Sequence, residues 1–406
     1  MIKTVLKTGL AISALLLLIL LAWESVPERR TMAPVGSGEP EMAEGMAFVG
    51  RVPRLNVAFA ATDGRLFGIE DHFVFVSEDG GRTFERRGQL PKKDDGLQSR
   101  VADWIARLKP VRLIRRNEGP ENLVVLESGT VLVFWDRIYR SVDGGYSFMV
   151  AADFSRDQLV QPFGNNEGIA VGPDGVYFGE YTSVARPHAI RIVGGTNDGQ
   201  DWNVVYTFPP GDIFHVHSIA YDRFRKRYWI CTGDDDNESR ILYTEDRFRT
   251  LQKLGGDSQA WRAVSVMITP DSLVWGSDND RNGAKVYRWR FAGDGLEELA
   301  TIGKPSYSSA VLADGSLVLS TAYEPASAYV RAYHPAASTD LWLSEDGTRW
   351  RQIFSLPYEH HETPSSGPSR ASIAFPNGTP PKQLIFMPQS TVWDDFDVLI
   401  ADRSSD

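Results

Sequence analysis

Two histidines beside a run of carboxylates give this sequence its clearest capacity for chemistry. His215 and His217 stand two positions apart at the start of an apolar segment, and strand alternation puts both rings on one side. The run Asp234 to Glu238 follows the next apolar segment. Imidazoles that face carboxylates can transfer protons or hold a metal ion. The alternative is a solvated acidic loop beside structural histidines.

Comparable polar and aromatic side chains recur where other apolar segments begin or end. Aromatic rings stack on sugars and arginine pairs with carboxylates, so these residue types suit a sugar or acidic-sugar ligand. The candidate catalytic residues are His215, His217, Asp234, Asp235, Glu238, Asp278 and Glu180. The candidate substrate-binding residues are Arg262, Trp261, Tyr181, Arg186, Tyr307, Tyr323, Glu324 and Arg51. Each alone is compatible with a solvated loop, so the prediction of a site depends on their convergence.

One turn pattern repeats along the chain and must help to position these residues. The segments Ser77–Phe84 and Ser141–Phe148 both read Ser-x-Asp-Gly-Gly-x-Ser/Thr-Phe. Shorter or degenerate copies are Thr196–Trp202, Thr244–Thr250, Gly293–Gly295 and Ser344–Trp350. The Asp can accept hydrogen bonds from the turn's own N–H groups, and Gly supplies positive φ angles. These Asp residues are therefore predicted to hold hairpin turns and not to catalyse.

A second series of seven turns alternates with the first. Its members are Thr62–Gly64, Glu127–Gly129, Pro173–Gly175, Asp222–Arg227, Pro270–Ser272, Ala313–Gly315 and Pro376–Gly378. Together the two series predict four short antiparallel strands per unit of about 50 residues. The last unit lacks an outer strand, which Met46–Val52 can supply, and pairing both chain ends removes open sheet edges. We therefore predict an all-β fold, a β-propeller of seven blades closed by the N- and C-terminal strands, with six blades as the alternative.

The first turn series resembles the Asp-box, or bacterial neuraminidase, repeat, and the resemblance covers about residues 47–403. It implies a propeller of the kind found in sialidases and in several other families. Sialidases have arginines that bind the substrate carboxylate, a Tyr/Glu pair as nucleophile and an Asp as general acid. The resemblance implies counterparts of these residues in this chain. A sialidase ring has six blades, and the histidine pair is not part of the sialidase pattern.

Several residues match the sialidase pattern by position. Arg51-Val52-Pro53 stands about where the sialidase Arg-Ile-Pro motif would stand. The resemblance further implies Arg186 and Arg262 as the other arginines that bind the substrate carboxylate. It implies Tyr307 or Tyr323 as the nucleophile and Asp71 as a candidate acid.

Propeller topology predicts which loops share a face. The turns of the first series, named the outer turns, and those of the second series, named the inner turns, lie on one face, named here the turn face. The loops between second and third strands and the connections between blades lie on the other, named the loop face, where ligands are expected. All seven histidines map to the loop face, and they are His72, His188, His215, His217, His334, His360 and His361.

Composition limits the function classes. A chain of 406 residues with a net charge of −10 lacks the basic character of a nucleic-acid binder. Cys231 stands alone, which excludes a disulfide framework and a Cys-based zinc site. The segment Asp278–Gly283 resembles the first half of a calcium loop, but Trp289 occupies the place of the closing glutamate. We expect no cofactor, with calcium as the alternative.

The N-terminus is typical of an export segment. Lys3 and Lys7 precede an uncharged run that ends at Trp23. We expect residues 5–23 to anchor the chain in a membrane, with the bulk on the periplasmic or extracellular side, or to be cleaved from a secreted protein. Residues 24–46 read as a flexible linker, and residues 47–406 as the propeller domain.

The sequence therefore predicts an exported, sialidase-like, carbohydrate-active propeller that hydrolyses or binds glycans at the loop face. Its expected partners are a glycan or glycoconjugate and the membrane, but not nucleic acid, and a monomer is expected. The alternative is a non-catalytic scaffold for protein binding or envelope assembly, as in the Asp-box propellers of photosystem II assembly factors and sortilin-type receptors.

Overall fold

The computed structural model describes residues 27–36, 40–91, 122–153, 168–181, 187–281, 283–293, 295–325, 336–359, 370–393 and 397–403, with a few isolated positions from 101 to 111. The predicted export segment lies outside these residues, and so do Arg186, His334, His360 and His361. Within the part of the chain that is described, no helix is both long and apolar enough to cross a membrane.

Short strands account for nearly all the regular structure. Two N-terminal strands are β1 (Arg29–Thr31) and β2 (Met46–Val52). Blades one to three contain β3 (Asn56–Ala60), β4 (Leu66–Glu70), β5 (Phe73–Ser77), β6 (Thr83–Gln89), β7 (Asn122–Val125), β8 (Val131–Phe134), β9 (Ile138–Ser141), β10 (Met149–Ala152), β11 (Ile169–Gly172), β12 (Gly175–Gly179), β13 (Ile190–Thr196) and β14 (Asp201–Phe208). Blades four and five contain β15 (Val216–Asp222), β16 (Arg227–Thr232), β17 (Arg240–Thr244), β18 (Gln252–Gly256), β19 (Met267–Ile268), β20 (Ser272–Gly276), β21 (Ala284–Arg290) and β22 (Leu296–Gly303), with a 3-10 turn at Gln259–Trp261. Blades six and seven contain β23 (Ser306–Val311), β24 (Leu317–Thr321), β25 (Ser338–Ser344), β26 (Arg351–Pro357), β27 (Ser372–Ala374), β28 (Asn377–Gly378), β29 (Leu384–Gln389) and β30 (Val398–Arg403).

These strands form seven small sheets, each of which is one blade of a β-propeller. Blades two to six are four-stranded antiparallel sheets whose strands follow chain order. First strands of neighbouring blades pack together, as β3 does with β7 and β11 with β15. The prediction of an all-β, seven-bladed propeller is confirmed, and the six-bladed alternative is wrong.

The ring closes in blade seven, where both ends of the folded chain meet. Strand β2 pairs antiparallel with β30, from Met46 opposite Arg403 to Val52 opposite Val398. The N-terminal strand thus supplies the missing outer strand, as predicted. The short strand β28 in the inner turn of blade seven also pairs in parallel with β3 of blade one. Closure of this kind covers strand edges that would otherwise be open to pairing.

Two of the repeated Asp residues, Asp79 and Asp143, hold their own hairpin turns, as predicted. Asp79 accepts hydrogen bonds from the Ser77 hydroxyl at 2.8 Å and from the Thr83 N–H at 2.9 Å. Asp143 accepts the equivalent bonds from Ser141 at 2.6 Å and from the Ser147 N–H at 2.9 Å. The hydroxyls of Ser141 and Ser147 hold the pKa of Asp143 well below its usual range.

Asp198, in the outer turn of blade three, has a different set of partners. Its carboxylate accepts a hydrogen bond from the Ser128 hydroxyl at 2.5 Å and another from Thr130, both in the inner turn of blade two. Arg140 of blade two adds an ion pair at 3.0 Å. This Asp therefore ties two blades together instead of holding its own hairpin.

The core lies between the blades. All residues of β3, β4 and β5 are buried, because both faces of an inner propeller strand pack against neighbouring blades. Aromatic rings fill these interfaces, as where Phe134 of blade two meets Phe178 of blade three at 5.9 Å. The outer strands are half exposed, and in β14 every residue except the buried Phe208 is exposed or partly buried.

The described part of the predicted linker contacts the propeller. Strand β1 adds to the outer edge of blade one by pairing with β6. Glu28 is buried and accepts a 2.8 Å ion pair from Arg30, whose guanidinium also contacts Glu70. The segment after residue 27 is thus partly docked, which shortens any free tether that precedes it.

Candidate functional site

The site is built where first strands begin and second strands end on the loop face. In blade four, β15 carries an extra residue, His217, between Val216 opposite Thr232 and Ser218 opposite Cys231. In blade six, Tyr307 is the extra residue of β23 in the same way. Such β-bulges re-aim a side chain and are frequent beside functional sites. The same local distortion therefore presents a histidine in one blade and a tyrosine in another.

His215, His217 and Asp234 meet at one point. Asp234 Oδ1 lies 3.3 Å from His217 Nε2 and 3.5 Å from His215 Nε2. Both imidazoles are buried, and Tyr181 of blade three stacks on His215 with ring centroids 4.1 Å apart. His217 Nδ1 lies 3.0 Å from the Ala263 carbonyl. The sequence prediction that the two rings share one side and face the acidic loop agrees with this arrangement.

Arg262 links this histidine cluster to blade five. Its guanidinium lies 3.2 Å from Asp234 Oδ1 and 2.9 Å from Asp278 Oδ2. The Asp278 N–H also donates to the Arg262 carbonyl at 2.7 Å, so the start of one strand and the end of the next are held side by side. A further carboxylate, Asp280, lies 3.5 Å from the same guanidinium.

A tyrosine–glutamate pair continues the site into blade six. Tyr307 donates a hydrogen bond to Glu324 Oε1 at 2.5 Å. The Arg370 guanidinium lies 3.7 Å from Glu324 and 5.0 Å from the centre of the Tyr307 ring. The negative charges of Asp278 and Glu324 both act on the Tyr307 phenol, and Tyr307 and Asp278 act in turn on Arg262. The tyrosine–glutamate pair therefore forms one electrostatic unit with Asp278 and Arg262.

Burial sets the protonation states of this unit. Asp278 is 4% exposed, and burial, together with the charges of Asp234 and Glu324, raises its pKa to about 8 against the opposing pull of Arg262. Burial and the same kind of acidic neighbours raise the pKa of Tyr307 well above its usual value. Burial also lowers the pKa of His217, although Asp234 opposes that shift. At neutral pH the unit thus holds a protonated carboxyl, a neutral phenol and a neutral imidazole.

Several candidate catalytic residues are engaged elsewhere. Glu180 binds Arg191 through its side chain at 2.6 Å and accepts the Arg191 N–H at 2.7 Å. Asp235 pairs with Arg281 at 2.9 Å. Glu238 is buried, and its carbonyl accepts a hydrogen bond from a neighbouring threonine hydroxyl at 2.7 Å. In these contacts the carboxylates of Glu180 and Asp235 pair with arginines and not with the two histidines.

Three candidate substrate-binding residues also make packing or ion-pair contacts away from the histidine cluster. Trp261 packs against Trp275 at 5.4 Å in the core between blades. Tyr323 is buried and its ring lies 5.4 Å from that of Tyr358. Arg51 lies on β2 of blade seven, where it pairs with buried Asp397.

Two further predictions concern other loops. Asp71 lies in the turn after β4 of blade one, at a φ of 50°. In the predicted calcium loop, Asp278 and Asp280 both face Arg262, and Asn282 lies outside the described residues. The calcium site therefore stays a prediction.

The sequence reasoning missed Arg370 and Gln259. Arg370 stands two residues before the first strand of blade seven and Arg262 five residues before that of blade five, so a search for arginines at the entry to first strands would have found both. Gln259 donates hydrogen bonds to the Asp234 carbonyl and to the Asp236 carboxylate, each at 2.9 Å, and so fixes the acidic loop. No pattern in the sequence marks such a loop-to-loop contact.

A cavity of about 500 Å³ opens at the other end of the channel, on the turn face. The inner turns line it, with Phe59, Ile219 and Val311 among its apolar walls and Arg65 and Arg223 among its polar ones. Residues 182–186, 326–335 and 360–369, which propeller topology predicts to lie on the loop face, are outside the described residues.

Comparisons with known proteins bear on the fold. No protein-family model matches the sequence, and no curated protein matches it. Among solved structures, an oligogalacturonate lyase in complex with manganese has a TM-score of 0.55 at 7% identity, over 93% of this chain and 98% of that one. YCF48 from Cyanidioschyzon merolae has a TM-score of 0.49 at 14% identity, over 92% and 98% of the two chains. A GH74 xyloglucanase from Xanthomonas campestris has a TM-score of 0.43 at 16% identity, over 67% and 44%. The seven sheets and the likeness to the lyase structure together identify the fold of the chain as a seven-bladed β-propeller.

Proposed function

We propose that this protein is an Asp-box propeller that cleaves glycosides of an acidic sugar at the loop face. The observation that carries the proposal is the 2.5 Å hydrogen bond from Tyr307 to Glu324, beside a buried carboxyl and two guanidinium groups. A phenol held against a carboxylate base has the arrangement of an activated nucleophile. The name of the lyase neighbour, which refers to oligogalacturonate, supports the same broad class of substrate.

The residues divide the chemistry between a nucleophile pair and an acid. Tyr307 Oη attacks the anomeric carbon while its proton passes to Glu324, and the bond to the leaving oxygen breaks. Asp278, whose pKa is raised to about 8, gives its proton to that oxygen. Water then attacks the glycosylated tyrosine, its proton goes to Asp278, and Glu324 returns the first proton to Tyr307. Atoms and protons balance over the two steps.

Charge explains the preference for an acidic sugar. Arg370 lies beside the nucleophile pair with 46% of its side chain exposed, so a ligand carboxylate can reach its guanidinium. Arg262 is 14% exposed and already faces three carboxyl groups, so it holds Asp278 in place and leaves ligand binding to Arg370. A neutral glycoside would offer the Arg370 guanidinium no carboxylate beyond that of Glu324.

The test is a screen of purified protein against sialosides, uronides and neutral glycosides. We expect turnover of one acidic class and at least a 100-fold loss of kcat in Tyr307→Phe and Glu324→Gln. Tyr323→Phe is the matched control, because this neighbouring tyrosine packs against Tyr358 and should keep full activity. A fluorinated glycoside that traps the intermediate should label Tyr307, as read by peptide mass spectrometry.

Either of two results would contradict the proposal. Full activity in Tyr307→Phe would show that Tyr307 is not the nucleophile. Tight binding of acidic glycans without cleavage would show that the protein is not a glycosidase. The second result would favour the scaffold alternative, for which the turn-face cavity of about 500 Å³ offers a separate binding surface. We also propose export through residues 5–23, which an accessibility assay on intact cells tests independently.

A further inference from the structure

We propose that His215, His217 and Asp234 bind a divalent transition-metal ion. The proposal is independent of the glycosidase chemistry, because it rests on ligand geometry alone. The three ligand atoms, two imidazole nitrogens and one carboxylate oxygen, all lie within 4.8 Å of one another. His217 lies in β15, His215 stands one residue before that strand, and the loop after β16 supplies the aspartate, so the backbone of one blade holds the set together.

The separations fit an ion better than they fit hydrogen bonds. Ligands about 2.1 Å from a metal, at a tetrahedral angle, lie about 3.4 Å apart. The observed distances from Asp234 Oδ1 are 3.3 Å to His217 and 3.5 Å to His215. Nitrogen–oxygen hydrogen bonds in proteins usually measure about 2.7–3.2 Å, so both contacts are long for that role.

The hydrogen bonding of His217 points to the same conclusion. Its Nδ1 lies 3.0 Å from the Ala263 carbonyl, which can only accept, so Nδ1 carries the proton. With Nδ1 donating to that carbonyl, Nε2 is the ring nitrogen that faces Asp234 Oδ1, at 3.3 Å, and is placed to bind an ion there. Metal-ligating histidines commonly donate their other N–H to a backbone carbonyl in this way.

His215 supplies a second, independent observation. The residue is 3% exposed, and among the described residues neither of its ring nitrogens has a hydrogen-bond partner. Its ring is nevertheless fixed between the stacked ring of Tyr181 and the ring of Phe214, whose centroid lies 4.8 Å away. Buried polar groups are normally satisfied, and an ion would satisfy this one.

The donor set and the surrounding charges select the class of ion. Two imidazoles and one carboxylate suit zinc, manganese or iron, whereas calcium prefers oxygen ligands only. Arg262 lies near Asp234 but also faces Asp278 and Asp280, so its positive charge is already opposed by carboxyl groups. Three protein ligands leave at least one coordination position open to water or to a ligand.

The test measures metal binding directly on the whole protein. Chelator-treated protein is titrated with Zn²⁺, Mn²⁺, Co²⁺ and Ca²⁺ by calorimetry, and bound metal is counted by mass spectrometry. We expect one transition-metal ion per chain, binding at least 100-fold more weakly in His217→Ala and Asp234→Asn. His188→Ala is the matched control, because His188 is also partly buried with unpartnered ring nitrogens among the described residues, yet stands outside the set.

Two additional measurements keep the outcome clear. Circular dichroism of the metal-free variants shows whether they fold. If one of them does not fold, His215→Gln, which keeps a polar side chain of similar size, takes its place in the titration. Cobalt-loaded wild-type protein should show the visible absorption of nitrogen-ligated Co²⁺. Absence of stoichiometric binding, or equal binding in all variants, would overturn the proposal.

Discussion

Asp278 is the residue whose environment departs furthest from that of an ordinary surface carboxylate. It is 4% exposed, and among the described residues its Oδ1 atom makes no hydrogen bond, while Oδ2 meets Arg262 at 2.9 Å. The charged groups that face it are Arg262, Asp234, Glu324 and Asp280. Three of these four are acidic, so the folded protein favours the protonated form.

This environment predicts a pH dependence of stability. The pKa of Asp278 rises from the ordinary 3.8 to about 8 on folding, so between these values the folded chain binds a proton that the unfolded chain releases. The free energy of unfolding contributed by this group therefore falls as pH rises from about 4 to about 8. We expect Asp278→Asn to remove that decline, as measured by urea unfolding at a series of pH values.

Asp280→Asn is the control for this prediction, because Asp280 lies 3.5 Å from the same guanidinium but is only partly buried. Its unfolding should keep the wild-type slope against pH. If Asp278→Asn also keeps that slope, Asp278 is not the buried acid that its surroundings indicate.

Residue-level prediction from the sequence succeeded where strand geometry alone decided the outcome. Period-two alternation and propeller topology predicted that His215 and His217 share one side and face the acidic run that begins at Asp234, although the bulge at His217 was not predicted. Glu180 shows the limit, because its partner Arg191 stands across a loop and only the folded side-chain positions reveal the pair. Gln259 shows it too, since its contact with the acidic loop depends on a 3-10 turn that has no sequence signal.

At the scale of strands and turns, one motif performs two tasks. The outer-turn Asp79 bonds within its own hairpin, whereas Asp198 reaches the inner turn of the preceding blade. In the inner turns, Asp174 of blade three likewise accepts a hydrogen bond from Tyr228 and an ion pair at 2.9 Å from Arg247, both of blade four. Turn carboxylates thus also join the blades.

The difference between the two kinds of turn can be measured with a double-mutant cycle. We expect Asp198→Ala and Thr130→Val to show a coupling free energy of about 1 kcal/mol in chemical unfolding, because their side chains share a hydrogen bond between blades. The pair Asp79→Ala and Thr130→Val should show none. Equal coupling in both cycles would contradict the assignment of Asp198 as a link between blades.

At the scale of the whole molecule, the repeat of turns was enough to predict the blade number. Seven inner turns in the sequence correspond to seven sheets, because each Gly- or Asp-containing turn joins two strands that cannot pair otherwise. Docking of β1 on blade one was not predicted, since Arg29–Thr31 is polar and its ion pairs with Glu85 and Glu70 are visible only in the folded chain.

Ring closure predicts a sharp boundary for N-terminal deletion. Removing residues 1–52 takes away β2 with buried Met46 and Val52, exposes the edge of β30, and should lower Tm by about 10 °C and cause aggregation. Removing residues 1–45 is the matched control, because it keeps β2 and should leave a soluble monomer. Calorimetry and size-exclusion chromatography make the comparison, and equal Tm values would contradict a closing role for β2.

The meeting of β2 and β30 also has a consequence for the timing of folding during synthesis. Translation proceeds from the N-terminus, so β2 leaves the ribosome before every blade and finds its partner only after residues 398–403 have emerged. The blades in between can form from local hairpins, whose contacts are close in sequence. The closing strand waits throughout with unpaired backbone groups, which makes it the natural target for a chaperone that recognises extended chains. A ribosome stalled before residue 398 would therefore carry finished blades in a ring that cannot close.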